Sequence, residues 1–350
     1  MEAVGKVLSH GRIILGPEVD EFEKKVAKYC DREYGVAVNS GTDALYFALR
    51  AVDIGSGDEV ITTPLSWIAT ANSIVLTGAT PVYVDIGEDL NINTRLIERA
   101  ISRKTRAILP VHFTGKMCDM NRINKIAEKN NLIVIEDAAQ AFGSKLNARL
   151  AGSFGHLGCF SMNPMKVFNS YGEAGAVVTD DQDIYEKLRY LRYAGTINKE
   201  DCHYPSLNGR MDTIQAAMML VNLEYLEDKI AKRREIAAYY NRELDGLVTC
   251  PTAQEGYFHT FYSYTIITDQ RDALKDFLDQ KGIETKIQHP ILMPYHTAYK
   301  HLPKPDVSVA EKLVEQVLCI PNHEDLSVSD LEYIVGSIQE FFIADSVLPS

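Results

Sequence analysis

The segment Cys159-Phe160-Ser161-Met162-Asn163-Pro164-Met165-Lys166 combines a short apolar run, a turn and one lysine. Upstream, a second apolar run ends in two acidic residues, Glu136 and Asp137. Short apolar runs bounded by turn residues are typical of buried strands. Ligands in open α/β sheets bind beyond the carboxyl ends of the strands, so Asp137 is expected to point into such a crevice. The two segments together predict an α/β sheet in which the lysine and the acid are paired.

The first two thirds of the chain repeat this pattern, because short β-branched runs alternate with helix-like segments. Such alternation is typical of an α/β domain with a mainly parallel sheet. The predicted strands are 35–38, 59–62, 81–84, 107–110, 132–135, 158–161 and 176–179. The predicted helices include 18–30, 43–52, 68–76, 121–130, 184–191 and one long helix at 212–235.

Beyond the long helix the composition changes to a strand at 261–268, a helix at 272–281 and a Pro- and His-containing loop at 288–296. A chain of 350 residues exceeds the usual size of one domain. We therefore predict a large domain at 1–235 and a smaller second domain at 236–350.

Composition excludes several classes of protein. Hydrophobic residues make up 46% and charged residues 24%, as in ordinary soluble globular proteins. The net charge of -12 argues against a general nucleic-acid surface, which needs clustered Lys and Arg. The sequence shows neither an apolar signal-peptide core nor an uninterrupted apolar stretch long enough for a membrane span. We therefore expect a cytoplasmic protein without nucleic-acid or membrane partners.

The six cysteines are scattered and form no CxxC pair. Neither a zinc site nor a disulfide framework is therefore indicated, and reduced thiols are the simpler interpretation. No metal ligand set is predicted.

Lys166 and Asp137 together indicate pyridoxal 5'-phosphate (PLP) chemistry. A lysine amine can hold an aldehyde as a Schiff base, and a buried aspartate can keep a pyridinium nitrogen protonated. The alternatives are structural, since a lysine after a turn is usually exposed and an acid at a strand end can cap a helix. A metal at Asp137 is disfavoured because no His or Cys ligand lies nearby in sequence.

A phosphate site is predicted where the strand ending at Val38 turns through Asn39-Ser40-Gly41-Thr42 into a helix. Such a turn presents free backbone N–H groups and the positive end of a helix dipole to an anion. Gly41 and Thr42 are therefore candidate phosphate-binding residues, and Ser161 can donate to a phosphate oxygen. A simple N-cap explains the same pattern equally well.

The ordered set of motifs resembles the DegT/DnrJ/EryC1/StrS family of PLP-dependent nucleotide-sugar aminotransferases. This resemblance implies the PLP-dependent transferase architecture called fold type I: a large, mainly parallel seven-stranded sheet domain flanked by helices, and a smaller C-terminal α+β domain. The motifs are Ile14-Leu15-Gly16-Pro17-Glu18-Val19, Asn39-Ser40-Gly41-Thr42-Asp43-Ala44-Leu45, Ala79-Thr80-Pro81-Val82-Tyr83-Val84-Asp85, Pro110-Val111-His112, Glu136-Asp137-Ala138-Ala139-Gln140, the Lys166 segment with Gly172-Glu173-Ala174-Gly175-Ala176, and Asn208-Gly209-Arg210-Met211-Asp212.

The resemblance also implies roles for the residues that hold the cofactor. Lys166 would form the Schiff base and later move a proton between the substrate and the cofactor, while Asp137 would pair with the pyridinium nitrogen. Gln140 would contact the side of the ring that carries the phenolic oxygen. The residues that would hold the phosphate are Gly41, Thr42 and Ser161.

Four further residues receive roles from the resemblance. Trp67 matches an aromatic residue that stacks on the ring, although a lone Trp is more often a core residue. Asn208 matches an asparagine that reaches the cofactor phosphate of a partner subunit, which implies a homodimer with shared active sites. Arg210 matches an arginine near the substrate-carboxylate pocket. His289 is a candidate sugar or phosphate contact, although a histidine in a loop is more often merely exposed.

The activity that the resemblance implies is transfer of an amino group from L-glutamate to a nucleotide-linked keto-sugar, in amino-sugar biosynthesis for a surface polysaccharide, glycan or antibiotic. The segment 171–176 favours amination at C3 over C4, while the sugar and its nucleotide stay undefined. One alternative is a sugar dehydratase of the same family, which carries histidine in place of Lys166. Another is a non-catalytic regulatory member, which would be expected to have lost Lys166 or Asp137. A nicotinamide dehydrogenase is disfavoured because no GxGxxG follows the first strand.

Overall fold

The computed structural model describes residues 1–252 and 254–347, the last four by their backbone only. The strands are β1 Tyr34–Val38, β2 Glu59–Thr62, β3 Thr80–Tyr83, β4 Thr105–Leu109, β5 Ile133–Asp137, β6 Lys145–Leu146, β7 Arg149–Leu150, β8 Leu157–Ser161, β9 Gly175–Thr179, β10 Thr196–Ile197, β11 Asp201–Cys202, β12 Tyr257–Phe258, β13 Tyr264–Ile267 and β14 Val317–Ile320. The helices are α1 Glu2–His10, α2 Pro17–Tyr29, α3 Gly41–Ala51, α4 Ala69–Leu76, α5 Ile97–Ala100, α6 Met120–Asn130, α7 Gln182–Leu191, α8 Thr213–Asn222, α9 Leu226–Glu243, α10 Arg271–Gln280, α11 Ser308–Val314 and α12 Val328–Val347.

All seven strands predicted for the large domain lie in one sheet, in the order β1-β9-β8-β5-β4-β2-β3. The pairs β3-β2, β2-β4, β4-β5 and β5-β8 are parallel, whereas β9 runs antiparallel to both of its neighbours. Parallel strands need crossover connections, and helices supply most of them here. The predicted α/β fold with a mainly parallel seven-stranded sheet is therefore confirmed.

The sheet is covered on both faces, as parallel sheets normally are. Successive residues of β1 show this directly. Val36 and Val38 pack into one apolar cluster with α3 and α7, while Ala37 packs into a second cluster with α2 and α6. Side chains alternate between the faces of a strand, so the continuous apolar runs in the sequence reflect burial on both faces.

The carboxyl ends of β5 and β8 lie side by side, because Asp137 pairs with Cys159 in the parallel register. The chain leaves β8 at Ser161 and turns through Asn163 and Pro164 to Lys166, so the acid and the lysine reach the same edge of the sheet. This edge is where α/β proteins bind ligands.

The long helix predicted at 212–235 is wrong in detail, because the chain forms two helices there. α8 ends at Asn222, a 3₁₀ turn covers Leu223–Tyr225, and α9 continues to Glu243. A 3₁₀ turn has about 3.0 residues per turn, and the i, i+3 spacing of Leu220, Leu223 and Leu226 fits it as well as an α-helix. Periodicity in the sequence therefore does not reveal the break.

α9 contacts two different apolar clusters along its length. Leu226 and Ile230 pack with the large core, whereas Ile236 and Tyr240 pack with a cluster that contains β13, β14, α10 and α12. The division of the chain at 235 and 236 remains a prediction. Part of the C-terminal region also packs back onto the N-terminal one, since Leu292 and Val307 share a cluster with Leu65, Ile86 and Phe113.

Candidate active site

Lys166 follows a tight turn that directs its side chain into the protein. Its backbone N–H donates to the carbonyl of Asn163 at 2.9 Å, and the Asn163 side chain accepts from the N–H of Met165 at 3.1 Å. The Lys166 Nζ lies 4.4 Å from the centroid of the Tyr262 ring. The alternative of an exposed lysine is therefore wrong.

Burial sets the ionisation of both members of the predicted pair. It lowers the pKa of Lys166 to about 8, although the charge of Asp137 opposes this and the charge of Lys286 adds to it. Burial also raises the pKa of Asp137, against hydrogen bonds from Thr70 and Ala139 and the charges of Lys166 and His112. A lysine with a lowered pKa supplies more neutral amine near neutral pH, which is the form that attacks an aldehyde.

The Asp137 carboxylate is only 3% exposed, and both of its oxygens accept hydrogen bonds. Thr70 Oγ1 donates to Oδ2 at 2.8 Å, and the backbone N–H of Ala139 donates to Oδ1 at 3.2 Å. Thr70 also shares a 3.0 Å hydrogen bond with Ser66 Oγ. The carboxylate is thereby fixed at the end of β5, where it can face a pyridinium nitrogen.

Its neighbour Glu136 points to the opposite side of the strand and has a structural role. Its oxygens accept from His112 Nε2 at 2.9 Å and from the N–H groups of Gly152, Phe154 and Gly155 at 2.7–2.9 Å. Burial alone would raise the pKa of Glu136, but these hydrogen bonds and His112 outweigh it, so the pKa lies below its ordinary value. His112 Nδ1 accepts from the N–H of Cys118, which fixes the tautomer.

The predicted phosphate residues come together between α3 and β8. A Cβ atom added to Gly41 would lie 2.5 Å from the Cβ of Ser161, so only glycine allows this close approach. Ser40 caps α3 by accepting from the N–H of Asp43. The N–H groups of Gly41 and Thr42 hydrogen-bond to none of the described residues, so they are available to an anion.

Gln140 is held by residues from distant parts of the chain. The N–H of Thr114 donates to Gln140 Oε1 at 2.8 Å, and Gln288 Nε2 lies 3.5 Å from the same oxygen. Thr114 adopts a left-handed backbone with φ 59°, which is strained for a β-branched residue and typical of functional sites. Gln140 is thus fixed three residues after Asp137.

Trp67 and His289 lie together over this edge of the sheet. Trp67 is 61% exposed, so it is no core residue, and its ring centroid lies 5.8 Å from that of His289. The His289 ring lies 5.8 Å from Phe113 as well, and its Nε2 is buried without a hydrogen-bond partner among the described residues. Burial, with Lys166, Lys286 and His296, lowers its pKa to about 4.

Asn208 and Arg210 lie beside the phosphate turn. Arg210 pairs with Val38, Arg210 Nε donates to Asn208 Oδ1 at 2.7 Å, and the guanidinium lies 4.5 Å from the centre of the Tyr193 ring. Asn208 is exposed. Within the described part of the chain neither residue hydrogen-bonds to Lys166 or Asp137, so the structure does not bring this pair to the lysine.

Sequence reasoning missed four residues of the site, namely Thr70, Thr114, Tyr262 and Gln288. None of them has a local pattern that marks it, because each reaches the site through long-range packing. A cleft of about 1290 Å³ between 86–95 and 249–252 reaches Thr114 but is lined by neither Lys166 nor Asp137. Among the residues that the structure describes, 1–252 and 254–347, no group of three or more His, Cys, Asp or Glu is arranged to hold a metal ion.

These residues fit PLP, which needs a lysine for its aldehyde, an acid for its ring nitrogen and an anion site for its phosphate. Gly41 and Thr42 present backbone N–H groups at a helix start next to Ser161, and the charges of Asp137 and Lys166 interact within the same site. The fold and the site together define a PLP-dependent enzyme of fold type I.

Comparison with known proteins identifies the family. The model of the DegT/DnrJ/EryC1/StrS aminotransferase family matches residues 1–339, so the chain belongs to that family and is a PLP-dependent aminotransferase. The "dTDP-3-amino-3,6-dideoxy-alpha-D-galactopyranose transaminase" of Aneurinibacillus thermoaerophilus is 37% identical, with 97% of this chain and 94% of that protein covered. The "pleiotropic regulatory protein" of Geobacillus stearothermophilus is 38% identical, with 98% and 94% covered.

A solved structure connects the fold with the cofactor. NtdA from Bacillus subtilis, with bound pyridoxamine phosphate (PMP), is 30% identical and superimposes with a TM-score of 0.91, covering 98% of this chain and 81% of that one. The predictions of the family, of the enzyme class and of the cofactor are therefore confirmed.

Proposed function

We propose that this enzyme transfers an amino group from L-glutamate to a nucleotide-linked keto-sugar, with amination at C3, in amino-sugar biosynthesis. The observation that carries the proposal is Lys166, whose amine lies in the site with Asp137. A similar protein is named a dTDP-3-amino sugar transaminase, which supports the class of acceptor and favours C3. The donor rests on the family resemblance.

The roles of the chain's own residues follow from the geometry. Bound PLP supplies an aldehyde and a ring that withdraws electrons. Gly41, Thr42 and Ser161 would hold its phosphate, and Asp137 would keep the ring nitrogen protonated. Lys166, as a neutral amine, would take the proton from Cα of the amino donor and return a proton in the second half-reaction.

Substrate contacts are assigned to Arg210 and His289, while Trp67 would stack on the cofactor ring. Trp67 is exposed beside His289, whose buried Nε2 has no hydrogen-bond partner among the described residues. His289 is held neutral by burial, so it would bind a sugar hydroxyl or a phosphate through a hydrogen bond rather than through charge. Arg210 would bind a carboxylate.

We also propose a homodimer with shared active sites. Asn208 is exposed and lies on the same turn as Arg210, beside Asn39 and Gly41, since the N–H of Asn39 donates to the carbonyl of Gly209 at 2.9 Å. From this position Asn208 would reach the cofactor phosphate of a partner subunit. Each site would then need two chains.

Hybrid dimers test this arrangement. Lys166→Ala and Asn208→Ala subunits are each expected to be inactive alone. Mixed dimers would regain activity at one of their two sites if Asn208 acts across the interface. Confirmed mixed dimers without any recovery would contradict the role of Asn208.

Two alternatives are disfavoured by the same residues. A regulatory function is suggested by the name of one similar protein, but a purely regulatory chain has no need of Lys166 with a pKa near 8 beside Asp137. A sugar dehydratase of this family carries histidine at the position of Lys166.

All six cysteines are free, which supports a reducing, cytoplasmic location. No helix within 1–252 and 254–347 has the length and apolarity to cross a bilayer.

The acceptor is tested by incubating the PMP form of the enzyme with a panel of nucleotide-linked keto-sugars. The expected result is return of the PLP absorption spectrum with 3-keto-sugars and formation of the amino sugar. The donor is tested by the reverse spectral change on addition of L-glutamate. If no keto-sugar restores the PLP spectrum in an enzyme that still reacts with L-glutamate, the proposed acceptor is wrong while the proposed donor stands.

Borohydride reduction tests the role of Lys166. Reduction of the PLP form followed by peptide mass mapping is expected to leave a pyridoxyl group on Lys166. A label on another lysine would contradict the assignment.

A further inference from the structure

The aromatic ring that faces Lys166 belongs to Tyr262, a residue of the C-terminal region. The distance of 4.4 Å between Lys166 Nζ and the ring centroid is within the range of a cation–π contact. A ring face carries partial negative charge and attracts an ammonium more strongly than a neutral amine. The contact is therefore sensitive to whether Lys166 carries a proton.

The backbone around Tyr262 is fixed on both sides. The N–H of Ser263 donates to the carbonyl of Thr114 at 3.3 Å, which connects the bend before β13 to the turn that holds Gln140. Arg233 Nη1 lies 3.4 Å from the carbonyl of Tyr262, and Arg233 forms a 3.0 Å ion pair with Glu324. These contacts hold the ring against Lys166 without any direct hydrogen bond to the lysine.

We propose that Tyr262 is a further catalytic residue, whose ring face stabilises the ammonium that forms when Lys166 takes a proton from the amino donor. The inference rests on the proposed function. In this step the Cα–H bond of the donor breaks, the proton joins the lone pair of Nζ, and the electron pair stays with the donor. The proton is returned later, so no other reactant is needed.

Other groups around Lys166 Nζ also affect whether the amine carries a proton. Burial and the charge of Lys286 disfavour the ammonium, while Asp137 and Glu173 favour it. His289 also faces Lys166, but its lowered pKa keeps it neutral. A ring face stabilises the ammonium without bringing a second full charge next to Asp137, which must stay ionised for the cofactor.

The roles of the Tyr262 ring and of its hydroxyl can be tested separately. The Tyr262 hydroxyl makes no hydrogen bond to a described residue, so the Tyr262→Phe variant keeps every contact that the proposal needs. The Tyr262→Leu variant keeps an apolar side chain but loses the ring face. Tyr257→Leu is a matched control, because Tyr257 faces the distant Lys116 at 5.7 Å.

The direct test measures the pKa of Lys166 in the apoenzyme, so it does not depend on the substrate or on turnover. Competitive labelling with acetic anhydride across pH, followed by quantification of the Lys166 peptide, gives this pKa. We expect Tyr262→Phe and Tyr257→Leu to match the unmodified protein. In Tyr262→Leu we expect a pKa lower by about half a unit to one unit.

Turnover supplies the second measurement. When L-glutamate is added to the PLP form of the enzyme, the rate of the first half-reaction should be roughly three- to tenfold lower in Tyr262→Leu than in the unmodified protein. In Tyr262→Phe this rate should be unchanged. An equal Lys166 pKa in the Leu and Phe variants would overturn the proposal. If Tyr262→Leu does not fold, Tyr262→Met takes its place. A lowered pKa with no reaction in any variant would instead contradict the proposed function.

Discussion

Gly41 and Ser161 touch across the start of α3 and the end of β8, so closely that a Cβ on Gly41 would lie 2.5 Å from the Cβ of Ser161. The contact brings the free N–H groups of a helix start next to a serine hydroxyl. Gly175 packs against the same turn, since a Cβ there would lie 2.4 Å from the carbonyl oxygen of Ser40. Two glycines thus shape the proposed phosphate site.

The first prediction concerns this close approach. Gly41→Ala should weaken PLP binding by the apoenzyme roughly ten- to a hundredfold, because the methyl group displaces Ser161 and costs charge-assisted hydrogen bonds to the phosphate. Titration of the apoenzyme with PLP, followed by absorbance, measures the effect.

Gly336→Ala is the matched control, because a Cβ at Gly336 meets no atom within 4 Å. It should leave PLP affinity unchanged. Unchanged affinity in Gly41→Ala as well would mean that the phosphate does not bind between α3 and β8.

The seven main strands were predictable because strands buried on both faces consist of continuous runs of apolar residues. Asp137 and Lys166 were predictable because Asp137 lies at the end of such a run and Lys166 comes one turn after another such run. Thr70 and Tyr262 were not, since Thr70 lies 67 residues from Asp137 and Tyr262 lies 96 residues from Lys166, and each pair meets only in the folded chain. The break after Asn222 was also invisible, because the apolar residues there are spaced i, i+3, which fits a 3₁₀ turn as well as an α-helix.

The second prediction concerns the Thr70 hydroxyl, which donates a hydrogen bond to Asp137. Thr70→Val removes the 2.8 Å hydrogen bond to Asp137 Oδ2 while it keeps the shape of the side chain. The pKa of Asp137 should rise further, since this bond favours the carboxylate. The acid then holds the ring nitrogen less well, and we expect kcat to fall roughly tenfold. Steady-state kinetics with the bound-cofactor spectrum measure both changes.

Thr179→Val is the control for the second prediction. Thr179 is buried and its hydroxyl donates to the carbonyl of His156 at 2.9 Å, in β9 and away from Asp137. It should cost stability without lowering kcat in the folded enzyme. If kcat falls equally in Thr70→Val and Thr179→Val, the effect of Thr70→Val comes from a general loss of stability and not from the hydrogen bond to Asp137.

The third prediction is the pH dependence of PLP capture. The pKa of Lys166 is about 8, and only the neutral amine attacks the aldehyde. At pH 7 roughly a tenth of the amine is neutral, so the rate of capture by the apoenzyme should rise about tenfold by pH 9 and then level off. Stopped-flow absorbance across this range gives the midpoint.

The charge of Asp137 raises the pKa of Lys166, so Asp137→Asn should move this midpoint to lower pH. A rate that continues to rise steeply above pH 9.5 would indicate an ordinary exposed lysine. That result would contradict the burial of Lys166 in the site.

The fourth prediction concerns Glu136, whose carboxylate accepts four hydrogen bonds beneath the site. Glu136→Gln places an amide N–H₂ against N–H donors, so we expect the free energy of unfolding to fall by about 3 kcal/mol. Because its pKa is lowered in the folded protein, Glu136 contributes stability above its unfolded pKa of about 4.5. That contribution is lost as the pH falls through the folded value. Urea unfolding at several pH values measures the difference.

Glu332→Gln is the matched control, because Glu332 is exposed on α12. It should change the free energy of unfolding by less than about half a kcal/mol at any pH. If Glu136→Gln loses stability at neutral pH but the loss shrinks as the protein is acidified, the carboxylate itself stabilises the strand. A loss that is independent of pH would instead point to packing around the new amide, because an uncharged side chain has no proton to exchange.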